Sequence, residues 1–216
     1  MSRTGRVAGI VPAAGAGVRL GGGVPKAWRL LGGRPMVSYA VDLLSAACDL
    51  VVVAAPPGFD APDVGATVVP GGATRSASVR LALALLDDDV EYVLVHDAAR
   101  PFAPPSVVAR VLDALRAGEQ AVIPVLPVTD TVKTVDVDGF VVQTHDRASL
   151  RAVQTPQGFT RSLLVRAHAT GDDATDDARL VEALGVRVRT VDGDPAGAKI
   201  TTADDLVAAE TGRGAR

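Results

Sequence analysis

Three lysines are set apart in a chain that otherwise uses arginine for its positive charge. Of the 22 lysine and arginine residues, only Lys26, Lys133 and Lys199 are lysines. The lysine ammonium is a compact point charge on a mobile stem and suits a phosphate oxygen, whereas the arginine guanidinium is a planar fork. The three lysines therefore predict contacts with phosphate groups. The alternative is chance combined with a GC-rich codon bias.

A glycine-rich segment leads to the first of these lysines. Residues 12–17 read Pro-Ala-Ala-Gly-Ala-Gly and directly follow the apolar run Val7–Val11, which we interpret as a buried strand. The segment would then lie at the carboxyl end of that strand, where open α/β sheets bind ligands. Small side chains let backbone N–H groups approach phosphate oxygens, and Arg19 and Lys26 add positive charge.

Two common phosphate-binding loops do not fit this segment. The dinucleotide fingerprint requires glycine where Leu20 stands, and no well-placed acid follows the second predicted strand. The P-loop requires Gly-Lys followed by Ser or Thr, whereas Lys26 follows Pro25. The phosphate site is therefore predicted to be of a different kind.

An acid is predicted at the same edge of the sheet. Asp97 comes shortly after the apolar run Tyr92–Val95, so it would also lie at the carboxyl end of a strand. A carboxylate in that position can hold Mg²⁺ or a substrate hydroxyl. The alternative is an aspartate of an ordinary surface loop.

The elements that position these residues alternate along the chain. The predicted strands are Val7–Val11, Leu50–Ala54, Thr67–Val69, Tyr92–Val95, Ala121–Val125 and Val186–Val191. The predicted helices are Met36–Ala46, Ser76–Leu86, Pro105–Arg116, Arg161–Ala169, Asp176–Leu184 and Ala203–Thr211. Near-continuous Val, Ile and Leu runs are typical of strands buried on both faces of a parallel sheet. We therefore expect an α/β fold with a doubly wound, mostly parallel, Rossmann-like sheet.

One stretch breaks this alternation. Thr131–Val135 and Val141–Thr144 flank the turn sequence Asp-Val-Asp-Gly, which predicts a β-hairpin arm at about 130–150 within a single domain of 1–216. A two-stranded unit is marginal alone. It needs a surface to lie against, and a second subunit is one candidate.

Composition limits the partners and the location. The net charge of -3 argues against a nucleic-acid or membrane-surface binder. No apolar run approaches the ~20 residues of a membrane span. Arg3 and Arg6 before the first apolar run mimic a signal peptide, but the run is short and meets Pro12, so we interpret it as a strand. With Cys48 as the single cysteine, no intrachain disulfide can form, and we expect a cytoplasmic protein.

The ordered motifs resemble one family. Ala-Ala-Gly-x-Gly-x-Arg-Leu followed by Pro-Lys resembles the signature of nucleotidyltransferases that act on sugar and polyol phosphates. The segments that follow begin at Gly71 (GGATRSASV), Val95 (VHDAARP), Asp130 (DTVK), Gln154 (QTPQ), Thr175 (TDDA) and Lys199 (KIT). Together, from about Val7 to Glu210, they resemble the 2-C-methyl-D-erythritol 4-phosphate cytidylyltransferases, and His-Asp-Ala-Ala-Arg-Pro is the most specific element.

The resemblance implies a role for each matched residue. CTP would donate a cytidylyl group to methylerythritol phosphate, with Mg²⁺ or another divalent metal on Asp97. The implied catalytic residues are Arg19, Lys26, Asp97 and Lys199. The implied nucleotide-binding residues are Pro12, Ala13, Ala14, Gly15, Gly17, Arg19, Lys26, Gly72, Ala73, Ser78, Asp97 and Ala98. The implied acceptor-binding residues are Arg100, Thr131, Arg147, Thr155, Thr175 and Lys199.

Several implications have structural alternatives. The Gly72–Ser78 segment could be a simple turn and N-cap, and Arg147 and Thr175 could have capping or surface roles. His96 is given a structural role, because an attacking phosphate dianion needs no base. The resemblance also implies a homodimer in which the arm carries acceptor-binding residues to the partner subunit.

The sequence departs from the common family pattern in two places. Ala27-Trp28 replaces Gln-Tyr or Gln-Phe after Pro-Lys, which predicts a packing change. Gly197-Ala198 stands where many members have asparagine, so a side-chain contact near the acceptor would be replaced by a backbone group.

Two other functions stay open on the sequence. One is a cytidylyltransferase for another polyol phosphate such as ribitol 5-phosphate, although Ala98-Ala99 favours methylerythritol. The other is a non-catalytic nucleotide-sensing domain, which the complete set of charged residues argues against.

Overall fold

The computed structural model describes residues 5–15 and 23–212 of the 216-residue chain. Its strands are β1 (Arg6–Pro12), β2 (Leu30–Leu31), β3 (Arg34–Pro35), β4 (Leu50–Ala55), β5 (Thr67–Pro70), β6 (Val90–Val95), β7 (Ala121–Pro127), β8 (Lys133–Val135), β9 (Val141–Thr144), β10 (Arg151–Val153), β11 (Gln157–Thr160) and β12 (Arg189–Asp192). Its helices are α1 (Met36–Ser45), α2 (Arg75–Leu83), α3 (Pro105–Arg116), α4 (Arg161–His168), α5 (Asp177–Ala183) and α6 (Ala203–Glu210). Short 3₁₀ turns span Lys26–Trp28, Arg147–Ser149 and Pro195–Gly197.

Most strands of the main sheet run parallel. β1 pairs in parallel with both β4 and β6, β4 pairs in parallel with β5, and β7 pairs in parallel with β12. β11 lies antiparallel between β6 and β7, and β10 continues antiparallel along β7. The expected α/β fold with a mostly parallel sheet is confirmed. The carboxyl ends of β1, β4 and β6 therefore meet at one edge.

Alternate residues of the central strand face two separate cores. In β1, Val7 and Val11 pack in a cluster with residues of α1 and α3, such as Leu44 and Val111. Ala8 and Ile10 pack in a second cluster with α2, α4 and α5. Because successive side chains of a strand point to opposite faces, burial of both sets requires helices on both faces of the sheet.

Helix ends follow the local signals. Pro105 occupies the first turn of α3, where its missing N–H costs nothing. Thr202 and Asp205 form the capping box expected at the start of α6. None of the helices in residues 5–15 and 23–212 is both long enough and apolar enough to cross a membrane.

The sequence did not predict β2, β3, β10 or β11. β11 is inserted in the centre of the sheet although it has only four residues, Gln-Gly-Phe-Thr, and contains a glycine, which disfavours strands. A Cβ at Gly158 would lie 2.4 Å from Val111 Cγ1, so glycine allows α3 to pack directly on this strand. Tertiary packing, rather than local propensity, decides this element. The last predicted strand also begins later than expected, at Arg189.

The predicted hairpin is present as a separate two-stranded sheet. β8 and β9 pair with each other, and the predicted first strand begins at Lys133 rather than Thr131. Asp136 Oδ1 accepts hydrogen bonds from the backbone N–H groups of Asp138 and Phe140 and so closes the turn. All side chains of both strands are exposed. The arm therefore contributes nothing to either core of its own subunit.

Candidate functional site

A cavity of about 350 Å³ lies at the carboxyl edge of the main sheet. The segment after β1, the start of α2 and the segment after β6 surround it. Its lining residues are Pro12, Ala13, Ala14, Gly15, Lys26, Ala27, Gly72, Ala73, Thr74, Arg75, Ser78, Asp97, Ala98, Ala99 and Lys199. The cavity thus joins chain segments separated by up to 187 positions in the sequence, from Pro12 to Lys199.

Small residues and backbone groups form the wall beside α2. Ser78 Oγ accepts a hydrogen bond from Gly72 N at 3.1 Å and donates one to Thr74 O at 2.9 Å, which holds the turn against the helix. A Cβ at Gly72 would lie 2.5 Å from Ala77 Cβ, so the turn requires glycine there. Thr74 caps α2 by accepting from Ala77 N. The N-cap role that the sequence left open is therefore present, and it coexists with a place on the cavity.

The residues that follow Pro25 pack against the glycine-rich segment. Trp28 is buried and its Nε1 donates to Ala13 O at 3.2 Å. Its ring lies 5.1 Å from the ring of Phe59. Trp28, which stands where the family has Tyr or Phe, is thus part of the packing beneath the site, and the predicted packing change stays a prediction. Lys26 is the first residue of the 3₁₀ turn that contains Trp28, and it lines the cavity.

Asp97 is the charged centre of the cavity. Its Oδ2 lies 2.8 Å from Lys199 Nζ, and its Oδ1 lies 3.3 Å from Arg75 Nε. Burial by itself would raise the pKa of the Asp97 carboxyl, but Arg75 and Lys199 hold this pKa well below its usual range. Asp97 is therefore ionised at neutral pH and offers a carboxylate to ligands.

His96 and Thr155 support the backbone of Asp97. His96 is fully buried, and burial lowers its pKa to about 4, so the ring is neutral at pH 7. Its Nε2 lies 3.3 Å from the carbonyl oxygen of Arg100, which can only accept, so Nδ1 is the acceptor nitrogen. The Thr155 hydroxyl donates to Nδ1 at 2.9 Å and accepts from Asp97 N at 3.0 Å. This agrees with the structural role expected for His96.

A second buried carboxylate lies behind Arg75. Arg75 Nη1 donates to Asp177 Oδ2 at 2.7 Å, and Asp177 Oδ1 lies 3.0 Å from His168 Nε2. The side chain of Asp177 is 0% exposed and that of His168 is 1% exposed. Burial alone would lower the pKa of Arg75, but Asp177 and Asp97 raise it. Arg75 therefore stays charged between two carboxylates.

The predicted acceptor-binding residues are placed apart from the cavity lining, except for Lys199. Arg100 uses its guanidinium on backbone oxygens, with Nη1 2.7 Å from Gly197 O and Nη2 3.0 Å from Val153 O. At Gly197, where the sequence departs from the family pattern, a backbone carbonyl thus accepts a hydrogen bond from Arg100, which is a predicted acceptor-binding residue. Arg147 donates to Thr129 O, and both Thr131 and Thr175 are exposed. Thr155 is buried against His96.

The cavity brings together most of the predicted nucleotide-binding set. Of that set, Pro12, Ala13, Ala14, Gly15, Lys26, Gly72, Ala73, Ser78, Asp97 and Ala98 line it, and so does Lys199, which was predicted as a catalytic and acceptor-binding residue. Gly17 and Arg19 lie outside the residues that the structure describes. The roles of all these residues in binding and catalysis stay predictions.

Sequence reasoning assigned no role to Arg75, Asp177 or His168. Arg75 stands within the quoted motif GGATRSASV, and Asp177 stands within TDDA, so both were visible as motif members. No local pattern indicates that Arg75 touches Asp97, which is 22 positions away, or Asp177, which is 102 positions away. Only the packing of α2 on α4, and of α4 on α5, shows it.

The chain is similar to one family of known proteins over most of its length. The family model described as 2-C-methyl-D-erythritol 4-phosphate cytidylyltransferase (IspD) matches residues 7–212. A relative of that name from Rhodococcus opacus (strain B4) is 56% identical over 219 residues, which cover 95% of this chain and 94% of the relative. Another from Frankia casuarinae is 56% identical over 213 residues, which cover 95% of this chain and 80% of the relative.

Solved structures with the same description share the fold. The crystal structure of the cytidylyltransferase from Thermus thermophilus is 41% identical to this chain and has a TM-score of 0.84, with 96% of this chain and 98% of that chain covered. The corresponding synthase from Anaerococcus prevotii is 29% identical with a TM-score of 0.80, and 96% and 97% of the two chains are covered.

Proposed function

Since the chain belongs to the 2-C-methyl-D-erythritol 4-phosphate cytidylyltransferase family, we propose that the cavity around Asp97 is its active site. The protein transfers the cytidylyl group of CTP to 2-C-methyl-D-erythritol 4-phosphate and forms 4-diphosphocytidyl-2-C-methyl-D-erythritol in isoprenoid biosynthesis. The observation that carries the proposal is the meeting of Lys26, Asp97 and Lys199 on one cavity bounded by glycine and alanine.

The reaction joins two polyanions. An oxygen of the acceptor phosphate attacks the α-phosphorus of CTP, and the bond between that phosphorus and the bridging oxygen of the departing pyrophosphate breaks. No proton needs to be removed from the attacking phosphate dianion. The protein therefore has to position the two phosphates and offset their negative charge. We assign this work to Lys26 and Lys199 on the cavity, together with Arg19.

The wall beside α2 is proposed to hold the cytosine and ribose. The backbone of Gly72 and Ala73 borders the cavity. The Gly72 N–H is bound to Ser78 Oγ, so the Gly72 carbonyl and the Ala73 backbone are the groups that we assign to the ligand. Backbone donors and acceptors can match the edge of a pyrimidine without charge. The small residues Ala13 and Ala14, which also line the cavity, leave room for the base and sugar.

A divalent metal ion fits the site only together with the nucleotide. The family generally uses a divalent metal, and we propose Mg²⁺. Asp97 is the sole acid among the described residues that line the cavity. No group of three or more His, Cys, Asp or Glu residues within residues 5–15 and 23–212 could hold a metal ion alone. Mg²⁺ commonly binds one carboxylate together with substrate phosphates. An ion bound in this way adds positive charge near the phosphate oxygens.

We propose that the arm of each subunit packs against the other subunit of a homodimer. Val137, Phe140, Val141 and Val142 on the arm are 101%, 72%, 58% and 60% exposed, so their apolar surface is unburied in one chain. A contiguous exposed apolar surface marks an interaction site, and a two-fold homodimer is the commonest way to cover such a surface. Thr131 and Arg147 lie within the arm, so we propose that the arm carries them to the cavity of the partner subunit.

Complementation tests the shared site. Coexpression of an Arg19→Ala chain with a Thr131→Ala chain gives heterodimers in which one of the two sites has neither substitution. We expect these heterodimers to recover part of the wild-type activity, whereas each homodimer is impaired. Confirmed heterodimers without recovery, or a fully active monomer at assay concentration, would show that the site is not shared.

We also propose a cytoplasmic location. Burial raises the pKa of the Cys48 thiol to about 12, so the single cysteine has little thiolate and no disulfide function. A reducing compartment suits such a chain.

The function is tested by pyrophosphate release. CTP, UTP, ATP and GTP are each supplied with 2-C-methyl-D-erythritol 4-phosphate or ribitol 5-phosphate, with and without Mg²⁺. We expect rapid release only with CTP, methylerythritol phosphate and Mg²⁺. Equal turnover with another nucleotide would refute the cytidylyl assignment, and better turnover with ribitol 5-phosphate would refute the acceptor.

A further inference from the structure

We propose that Asp177 is a positioning residue for cytidylyl transfer, because it holds Arg75 in the orientation that aligns the carboxylate of Asp97. The inference rests on the proposed function of the cavity. Asp177 does not line that cavity, and its side chain is 0% exposed. Any effect of Asp177 on the reaction must therefore pass through the residues that it contacts.

Arg75 is shared between two carboxylates. Its Nη1 binds Asp177 Oδ2 at 2.7 Å, whereas its Nε reaches Asp97 Oδ1 only at the longer distance of 3.3 Å. An arginine beside a single carboxylate commonly binds it with two parallel N–H groups. Asp177 binds Nη1 only, and Nη2, which shares the other edge of the guanidinium with Nε, has no hydrogen-bond partner in the described part of the chain. We infer that Asp177 holds Arg75 back, so that Nε alone reaches Asp97.

The second oxygen of Asp97 depends on this division. Asp97 Oδ2 faces Lys199 Nζ at 2.8 Å on the cavity side. If Arg75 bound both oxygens of Asp97, Oδ2 would be shared between Arg75 and Lys199. We infer that Asp177 keeps Asp97 Oδ2 directed to the cavity, where Lys199 and the substrates are.

Asp177 is itself held rigidly. His168 Nε2 lies 3.0 Å from its Oδ1. The backbone N–H groups of Asp177 and Ala178 both donate to Gln157 Oε1, at 3.2 Å and 3.1 Å. A buried ion pair adds little net stability over well-packed apolar residues, so stability alone gives no reason for this arrangement. The alignment of Asp97 gives such a reason.

The decisive variant is Asp177→Asn, which keeps the shape and removes the charge. We expect kcat to fall by about 10–100-fold, the range typical of residues that orient a primary ligand. The affinity for CTP, measured by calorimetry without acceptor, should change less than about threefold. Asp177 does not itself line the cavity, and it reaches the lining only through Arg75. Asp177→Glu restores the charge and should recover part of kcat.

Asp88→Asn is the matched control. Asp88 also pairs with an arginine, Arg161, at 2.8 Å, but it is 98% exposed and lies outside the cavity. It should leave kcat at the wild-type value. An equal loss of kcat in Asp88→Asn would show that removing an arginine-paired carboxylate acts through general stability, and this result would overturn the proposal.

A double-variant comparison keeps the test valid if Asp177→Asn does not fold. Arg75→Gln and Arg75→Gln/Asp177→Asn both lack the guanidinium through which Asp177 is proposed to act. Their kcat values should agree within about twofold, since effects that share one path are not additive. A further loss of tenfold or more in the double variant would show that Asp177 acts by another path and would overturn the proposal.

A crystal structure of a folded variant separates this proposal from the proposed function. In Asp177→Asn, or in Asp177→Glu as the charged reference, the positions of Arg75 and Asp97 are visible without turnover. We expect Arg75 to bind both oxygens of Asp97 in the amide variant only. If wild-type protein released no pyrophosphate, the proposed function would fail while this rearrangement could still be observed. An unchanged Arg75–Asp97 geometry in Asp177→Asn would refute the positioning role.

Discussion

Replacing Thr155 with valine tests whether its hydroxyl supports Asp97 or binds the acceptor. The hydroxyl has one hydrogen, and that hydrogen is donated to His96 Nδ1 at 2.9 Å. A phosphate group needs hydrogen-bond donors, and Thr155 has none left to give. We therefore expect Thr155→Val to affect stability and kcat, but not the KM for the acceptor.

The structure sets the size of the effect. Valine has nearly the shape of threonine, so the loss is confined to two hydrogen bonds at a residue that is 5% exposed. It leaves His96 Nδ1 and Asp97 N without their partner, and each unsatisfied buried group costs about 1–3 kcal/mol. The free energy of unfolding should fall by about 2–6 kcal/mol. In a chain of this size the corresponding decrease in Tm is about 4–24 °C.

The assay combines thermal unfolding with steady-state kinetics. Displacement of the Asp97 backbone should lower kcat by about tenfold, since small misplacements of catalytic groups are costly. Thr155→Ser keeps the hydroxyl and should retain most of kcat. Thr160→Val is the matched control for stability, because Thr160 Oγ1 is buried with no hydrogen-bond partner in the described part of the chain. Replacing an unpaired hydroxyl by a methyl group is nearly neutral or stabilising.

One outcome would refute the reasoning directly. If Thr155→Val kept the wild-type Tm and kcat but raised the KM for methylerythritol phosphate, the hydroxyl would be an acceptor ligand. The original expectation from the family resemblance would then be the better description.

Three other perturbations have defined outcomes. Lys26→Ala and Arg19→Ala should each lower kcat by about 10²–10³-fold with an unchanged circular dichroism spectrum. A near-wild-type kcat in either variant would show that the charge of that residue does not stabilise the transition state. Because the pKa of buried His96 is lowered to about 4, the unfolded chain binds a proton that the folded chain does not between about pH 6.5 and pH 4. This residue should therefore reduce the free energy of unfolding by about 2 kcal/mol from pH 7 to pH 5, and a His96→Asn variant measured in urea should lack this contribution. Gly72→Ala places a Cβ 2.5 Å from Ala77 Cβ and should raise the KM for CTP by about tenfold by displacing the turn; an unchanged KM would show that this wall does not contact the nucleotide.

Local signals were enough for most elements of the fold. All six predicted helices are present, with bounds that differ by at most three residues, because caps and apolar periodicity are encoded within each segment. Five of the six predicted strands begin within two residues of their predicted starts, because continuous Val runs suit strands buried on both faces. The central strand β11 was missed because contacts with β6, β7 and α3 determine it.

The sequence also determined which segments meet at the cavity. Residues that follow β1 and β6 must lie at one edge, because parallel neighbouring strands end on the same side of a sheet. The family resemblance added the segment at Gly72 and the lysine at 199, and both line the cavity.

Only the tertiary structure decided how the charges are paired. The contacts of Arg75 with Asp97 and Asp177, and of Thr155 with His96, join residues 22 to 102 positions apart. No periodicity or spacing encodes such contacts, because they depend on the relative placement of α2, β6 and the segment before β11. The sequence and its family resemblance indicated most of the residues that surround the cavity, whereas the packing of these elements determined which carboxylate each cation holds.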